Sequence, residues 1–309
     1  MKKLYIFIFL TAGVQLVYGQ QEATYAQYMF NGLAINPAYA GSHGALETSF
    51  LGRFQNVGLQ GAPYTQTFSA HAPLSNKRVG MGLLFIHDKI SIINQTGVHL
   101  SYAYRVPLNS KKATLSFGIQ AGASMYRAAY SQLDLFNNAQ NGNPDALLSS
   151  DLRSSRPNIG AGIYYASKLS YVGISIPSMI NNVFDRGTGM TTITQSIPVI
   201  LNAGHVFTLN PLLKVKPNFL IKAINNKPVE IDLNTTFLFD DAIWFGLSYK
   251  LARQLVALTQ FKINEQLQFG YSYTVTGGPL KRVELGSHEI MVSYLFLYSK
   301  KNVVSPRYF

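Results

Sequence analysis

Cysteine is absent from the 309 residues. This excludes disulfide scaffolds, Cys-zinc sites, thiol catalysis and lipid attachment at a mature N-terminal cysteine. Charge is scarce: Asp, Glu, Lys and Arg make up 13% of the chain, about half of the ~25% usual for a soluble globular domain. Tryptophan occurs once. Beyond the N-terminus no segment reads as a spanning helix. The uncharged stretch 187–213 contains Pro198, Pro211 and many Thr, Gln and Asn, a composition that breaks helices and does not suit lipid. Motifs for chemistry are missing too. The pair Gly-Lys never occurs, so there is no phosphate-cradling loop. No Gly-x-Ser-x-Gly is present, and the six His residues lack zincin spacing. The basic residues carry no stacking-and-phosphate pattern for nucleic acid. The sequence thus implies no enzyme, no metal and no cofactor.

What is present is aromatic and branched. Phe, Tyr and Trp reach 13%, with 19 Tyr and 19 Phe, which is too much for a disordered chain. The net charge of +12 includes Lys2 and Lys3, which form the positive start of an export signal. Leu4 to Val17 is its short apolar core, and Val17-Tyr18-Gly19 supplies small residues near a cleavage point before Gln20 or Gln21. Residues 1–19 therefore read as a signal peptide.

The mature chain has a period of two. Leu115, Phe117, Ile119, Ala121, Ala123 and Met125 form one face of a segment, and Ser116, Gly118, Gln120, Gly122 and Ser124 form the other. Strict alternation of this kind specifies a strand with one apolar side. The pattern recurs in 98–106, 229–240 and 266–275. About fourteen such segments fill residues 44–299, each roughly 9–12 residues long, the length a tilted strand needs to cross a bilayer. Turn chemistry separates them, as at Asn76-Lys77, Asn210-Pro211 and Gly277-Gly278-Pro279.

A soluble sandwich turns the apolar faces inward, and an outer-membrane barrel turns them out. Scarce charge, the export signal and aromatics at segment ends (Tyr102/Tyr104, Tyr164/Tyr165, Tyr271/Tyr273, Tyr294/Phe296/Tyr298) favour the barrel. The expected fold is all-β, a transmembrane barrel of about 14 antiparallel strands in the bacterial outer membrane. Arg53, Asp88, Arg105, Lys250 and Glu289 are candidates to face the lumen, as are Glu47, Lys214, Lys216, Lys222, Glu230, Asp232 and Lys262. Glycines crowd the same face: Gly80, Gly82, Gly118, Gly122, Gly160, Gly162, Gly246 and Gly270. They mark either barrel curvature or a polypeptide lying against the wall.

Residues 20–43 lack alternation and read as a periplasmic or plug segment. Residues 300–309 read as a C-terminal tail. Ala128 to Ser155 and Ser178 to Thr194 are polar insertions after strands five and seven, which strand parity puts outside the cell. Asp145 and Asp151 invite a calcium reading, but a plain loop explains them. Asp240-Asp241 reads as a turn, and His288-Glu289 as a polar pair at a strand start.

The run Tyr25-Ala26-Gln27-Tyr28-Met29-Phe30-Asn31-Gly32-Leu33-Ala34-Ile35-Asn36-Pro37-Ala38-Tyr39-Ala40-Gly41 resembles the opening signature of the PorP/SprF family of type IX secretion and gliding-motility membrane proteins. Further resemblance lies in Gly61 to Thr67, Gly80 to Leu83, His87 to Ile90, Ser101 to Arg105, Gly270 to Tyr273, Gly286 to Ile290 and the terminal Ser305-Pro306-Arg307-Tyr308-Phe309. Two departures stand out. Arg53-Phe54-Gln55-Asn56-Val57 lacks the family's Trp, and Lys250 replaces a common Arg.

The resemblance implies a non-enzymatic barrel that supports export and surface anchoring. Its partners would be the C-terminal domain of a secreted adhesin, or periplasmic ring lipoproteins or a peptidoglycan-linked protein, besides outer-membrane lipid. The candidate partner or plug residues are Tyr25, Gln27, Tyr28, Phe30, Asn31, Asn36, Pro37, Tyr39 and Gly41. The residues alone leave two alternatives: a passive diffusion porin, and a barrel enzyme built from a Ser/His pair.

Overall fold

The computed structural model describes residues 25–108, 113–130, 151–180, 182–185, 191–195, 197–251 and 253–296. Residues 1–24, which include the expected signal peptide, Asp145, Tyr298 and the tail with Ser305–Phe309 lie outside the described residues.

Fourteen strands form the wall: β1 Leu46–Phe54, β2 Tyr64–Pro73, β3 Val79–Ile90, β4 Ile93–Leu108, β5 Ala113–Ala128, β6 Leu152–Ala166, β7 Ser170–Ile176, β8 Pro198–His205, β9 Leu213–Ile224, β10 Glu230–Phe239, β11 Ile243–Lys250, β12 Gln254–Lys262, β13 Leu267–Thr276 and β14 Ser287–Phe296. Each pairs antiparallel with its neighbours. β1 meets β14, with Leu46 opposite Phe296 and Arg53 opposite Glu289. β8 meets both β7 and β9, so no edge is left open. Closure gives every strand of the wall a partner on both sides, as a bilayer requires.

Burial runs opposite to that of a soluble protein. Leu100, Ile119, Leu247 and Leu255 are 61–68% exposed, while Lys216, Thr236, Ser272 and Glu289 are 0–1% exposed. Greasy side chains therefore point away from the axis and polar ones toward it, the arrangement of a barrel set in hydrocarbon.

The two rims differ. One carries short turns, such as 240–242 between β10 and β11. There Asp240 and Asp241 both take positive φ, 48° and 49°. This is the backbone of a two-residue primed turn. The other rim carries the longer connections 55–63, 129–151, 177–197 and 277–286. Connection 177–197 holds a small hairpin, Asn182–Asp185 with Thr191–Gln195.

Several expectations are corrected. The eighth strand is interrupted near its end. It stops at His205 and resumes as Phe207–Thr208, because Val206 turns inward to 1% exposure and its N–H donates to Leu169 O. β6 begins at Leu152, before Arg156, since 152–155 continue the ladder with β5. Tyr164 does not join an outer aromatic girdle. It is 3% exposed and faces the lumen. Lys262 ends β12 on the luminal side, opposite Gln268, and is exposed at the rim.

Candidate functional site

The lumen is occupied by the chain's own segment from Tyr25 to Ser42. It winds through three short 3-10 turns, Tyr28–Phe30, Gly32–Ala34 and Pro37–Tyr39. Asn36 starts the third turn. Its Oδ1 accepts the Ala38 N–H at 2.9 Å, and Pro37 follows at the first helical position, where its missing N–H does no harm. Nearly every residue of the segment is buried.

At the long-loop end the segment is held by charge. Glu289 accepts the N–H of Gln27 at 2.8 Å on Oε1 and that of Ala26 at 3.0 Å on Oε2. Arg53, opposite Glu289 in the ladder, donates to Oε2 at 3.1 Å. Tyr25 Oη and Thr67 Oγ1 are 2.8 Å apart.

In the middle, Asn36 Nδ2 donates to Ile163 O at 3.0 Å, and Ser175 Oγ donates to Ile35 O at 2.6 Å. Ser69 Oγ donates to Asn31 Oδ1 at 3.1 Å. Phe30 meets the single Trp, Trp244, edge-on at 5.8 Å, and Lys216 Nζ lies 5.0 Å from the Phe30 ring.

At the short-turn end Tyr39 packs edge-on against Tyr164 at 5.4 Å and His71 at 5.3 Å. Arg105 Nη1 donates to Gly41 O at 2.5 Å, and the Gly41 N–H donates to His71 Nδ1 at 3.3 Å.

The luminal glycines divide between two roles. Beside Gly118 a Cβ would stand 2.2 Å from Ala38 N, and beside Gly80 it would stand 2.0 Å from Ala40 O. Gly82, Gly162 and Gly270 likewise face plug atoms, whereas Gly122 and Gly246 face neighbouring strands and Gly160 faces Pro177 in the connection after β7. Close approach of a polypeptide and close approach of neighbouring strands are thus both present, at different positions.

Of the luminal charges, Arg53, Arg105 and Glu289 hold the segment. Lys250 pairs with Asp232 at 3.7 Å in the wall. Asp88 accepts from Thr65 Oγ1 at 2.6 Å and lies on the rim of a cavity between the plug and the long-loop end. That cavity measures about 200 Å³. Tyr25, Tyr28, Ala34 and Ile35 of the plug line it. Four of its lining residues, Tyr28, His99, Asn158 and Ser178, each carry a buried polar atom without a hydrogen-bond partner.

Among the described residues one Ser/His contact bears on the enzyme alternative. Ser170 and His205 do touch, at 2.7 Å, but they are a cross-strand pair of β7 and β8. Among the described residues His205 has no carboxylate partner, and the contact uses Nδ1 without a third group to orient the ring. His288 and Glu289 point to opposite sides of β14, with His288 Nδ1 2.7 Å from Tyr271 Oη.

Two features were not singled out from the sequence. Leu51, Leu220, Leu258 and Met291 form a buried apolar bed under Tyr28 and Ile35. An apolar residue on the polar side of an alternating strand is the only signal that marks them. The other feature is a convergence of His43, Glu47 and His71, three residues that no sequence spacing joins.

A family model for "Type IX secretion system membrane protein PorP/SprF" matches residues 17–294. No curated protein matches in sequence. Among solved structures, the CymD monoaromatic hydrocarbon channel is 11% identical, covers 90% of this chain and 95% of its own, and gives a TM-score of 0.52. Omp33, an outer membrane protein of Acinetobacter baumannii, is 8% identical over 82% of this chain and 98% of its own, with a TM-score of 0.46. The P. putida toluene transporter TodX is 9% identical over 90% and 95%, with a TM-score of 0.47.

Proposed function

Given that the chain belongs to the PorP/SprF family of type IX secretion system membrane proteins and has the fold of an outer-membrane barrel, we propose that it is a non-enzymatic gripping protein. It binds the C-terminal domain of a secreted surface protein, or components of the periplasmic ring, and so supports export and surface anchoring. The observation that carries this reading is the occupied lumen. A passive porin needs a continuous water path. Here Tyr25–Ser42 lies across the barrel, bonded to the wall at both ends. The cavity beyond the plug, with four unmatched polar atoms on its lining residues, supports contact with a partner from the long-loop side. That rim would face outward, as longer loops do in such barrels. The same plug, rich in Tyr, Asn and Gly, is the proposed contact for a periplasmic partner at the opposite rim.

Pull-down of the tagged protein from outer membranes, with identification of what co-purifies, tests the proposal. The expected result is co-purification of a type IX secreted protein or ring component, lost when Tyr25–Gly41 is deleted. An unchanged partner set and unchanged secretion after that deletion would refute the plug's role. Steady conductance of the wild-type barrel in planar bilayers would favour the porin.

A further inference from the structure

We propose that His43, Glu47 and His71 form a zinc site at the foot of the plug, where the luminal segment turns into the wall. Among the described residues this is the one place where three such donors converge, and their ligand atoms all lie within 4.8 Å of one another. Three elements bring them together. His43 sits in the turn between Gly41 and Gly44, both at positive φ. Glu47 is the second residue of β1. The β1–β2 register sets His71 directly opposite Glu47. His71 Nε2 lies 3.8 Å from Glu47 Oε2, and His43 Nδ1 contacts the same oxygen.

Two imidazoles and one carboxylate are a donor set that tetrahedral zinc accepts, leaving one position for water. With zinc–ligand bonds near 2.1 Å, neighbouring ligand atoms in such a site stand about 3.4 Å apart. The surroundings fit a metal as well. Glu47 and His71 are 4–5% exposed, whereas His43 is 13% exposed and leaves an entry from the rim. Tyr39 Oη lies 3.1 Å from His43 Nε2 and can accept its proton once Nδ1 binds metal. Such outer contacts fix a ligand's tautomer. Tyr39 also packs edge-on against both imidazoles.

Metal binding displaces existing contacts. The Gly41 N–H donates to His71 Nδ1 at 3.3 Å, and that nitrogen must carry the proton when Nε2 binds metal; the His43 Nδ1–Glu47 Oε2 hydrogen bond gives way as well. Three metal–ligand bonds replace them. Bound zinc would staple the plug's exit to β1 and β2. This inference does not depend on the partner reading above.

The test is zinc content and zinc binding of the full mature protein, purified in detergent without chelator, then stripped with EDTA and titrated with zinc chloride. The expected result is one zinc per chain, a rise in the thermal transition on loading, and no displacement by magnesium or calcium. His43→Gln and Glu47→Gln should each weaken binding at least tenfold. His43→Gln alters a turn and not the ladder, so heat-modifiable migration on gels should show an intact barrel. Cobalt in place of zinc should give the visible spectrum of a four-coordinate site with nitrogen ligands. Zinc uptake by wild type no greater than that of a His43→Gln/His71→Gln variant that still migrates as a folded barrel would overturn the proposal, leaving a hydrogen-bonded clamp without metal.

Discussion

Replacing Glu289 by Ala should free the plug and leave the barrel standing. The carboxylate is 1% exposed and serves three donors at once: the N–H groups of Ala26 and Gln27, and Arg53. Removing it strands a guanidinium whose side chain is 4% exposed. Losing one partner of a buried pair costs about 3–5 kcal/mol, and each orphaned N–H adds about 1–3 kcal/mol. Water entering the lumen recovers part of this, so about 3 kcal/mol is a fair expectation for the plug's attachment. None of it falls on the wall, because β1 and β14 keep their backbone ladder from Leu46–Phe296 to Phe54–His288. The loss therefore shows as local opening. Amide hydrogen exchange at 26–28 should quicken by about 10²-fold, since 1.4 kcal/mol is one decade. Exchange in β1 and β14 should hold. Arg53→Met/Glu289→Leu should recover only the part due to the stranded guanidinium, because the Ala26 and Gln27 N–H groups still lack their acceptor. Plug amides equally protected in Glu289→Ala and wild type would refute the idea that this carboxylate anchors the plug.

Three further outcomes follow from the same geometry. Gly118→Val should expel the plug, because even a Cβ there stands 2.2 Å from Ala38 N; conductance in planar bilayers should rise, whereas Gly52→Ala, with nothing nearer than 3.9 Å, should stay silent. Leu100→Arg, on the outward face of β4 and 62% exposed, should cost about 2–4 kcal/mol in lipid; reversible urea unfolding in bilayers measures it, and Leu285→Arg in a long connection should stay within about 0.5 kcal/mol. Phe30→Ala should loosen the plug's middle by about 3–5 kcal/mol, the usual effect of deleting a packed aromatic; Trp244 fluorescence should shift to the red, because its edge-on neighbour at 5.8 Å is gone.

The wall was legible from the sequence because strand alternation is local. A residue's side of the sheet depends only on parity, so the outward set around Ile119 and the inward set around Gln120 follow from a single segment. Export, composition and family resemblance then chose lipid over a soluble core. Parity also placed Arg53, Arg105 and Glu289 in the lumen, but it could not say what they hold. Glu289 meets Gln27 across 262 positions of chain, and His71 meets Glu47 only through the β1–β2 register. Those meetings depend on how many strands close the ring and on the path of a plug that has no periodicity to read. Leu51 looks like an error of pattern until Tyr28 is seen resting with it in one cluster. The chain's own order thus determined a ring of strands with its greasy side out. Only closure in three dimensions decided what fills the ring, because contacts across a lumen are set by register and shape, which no single strand contains.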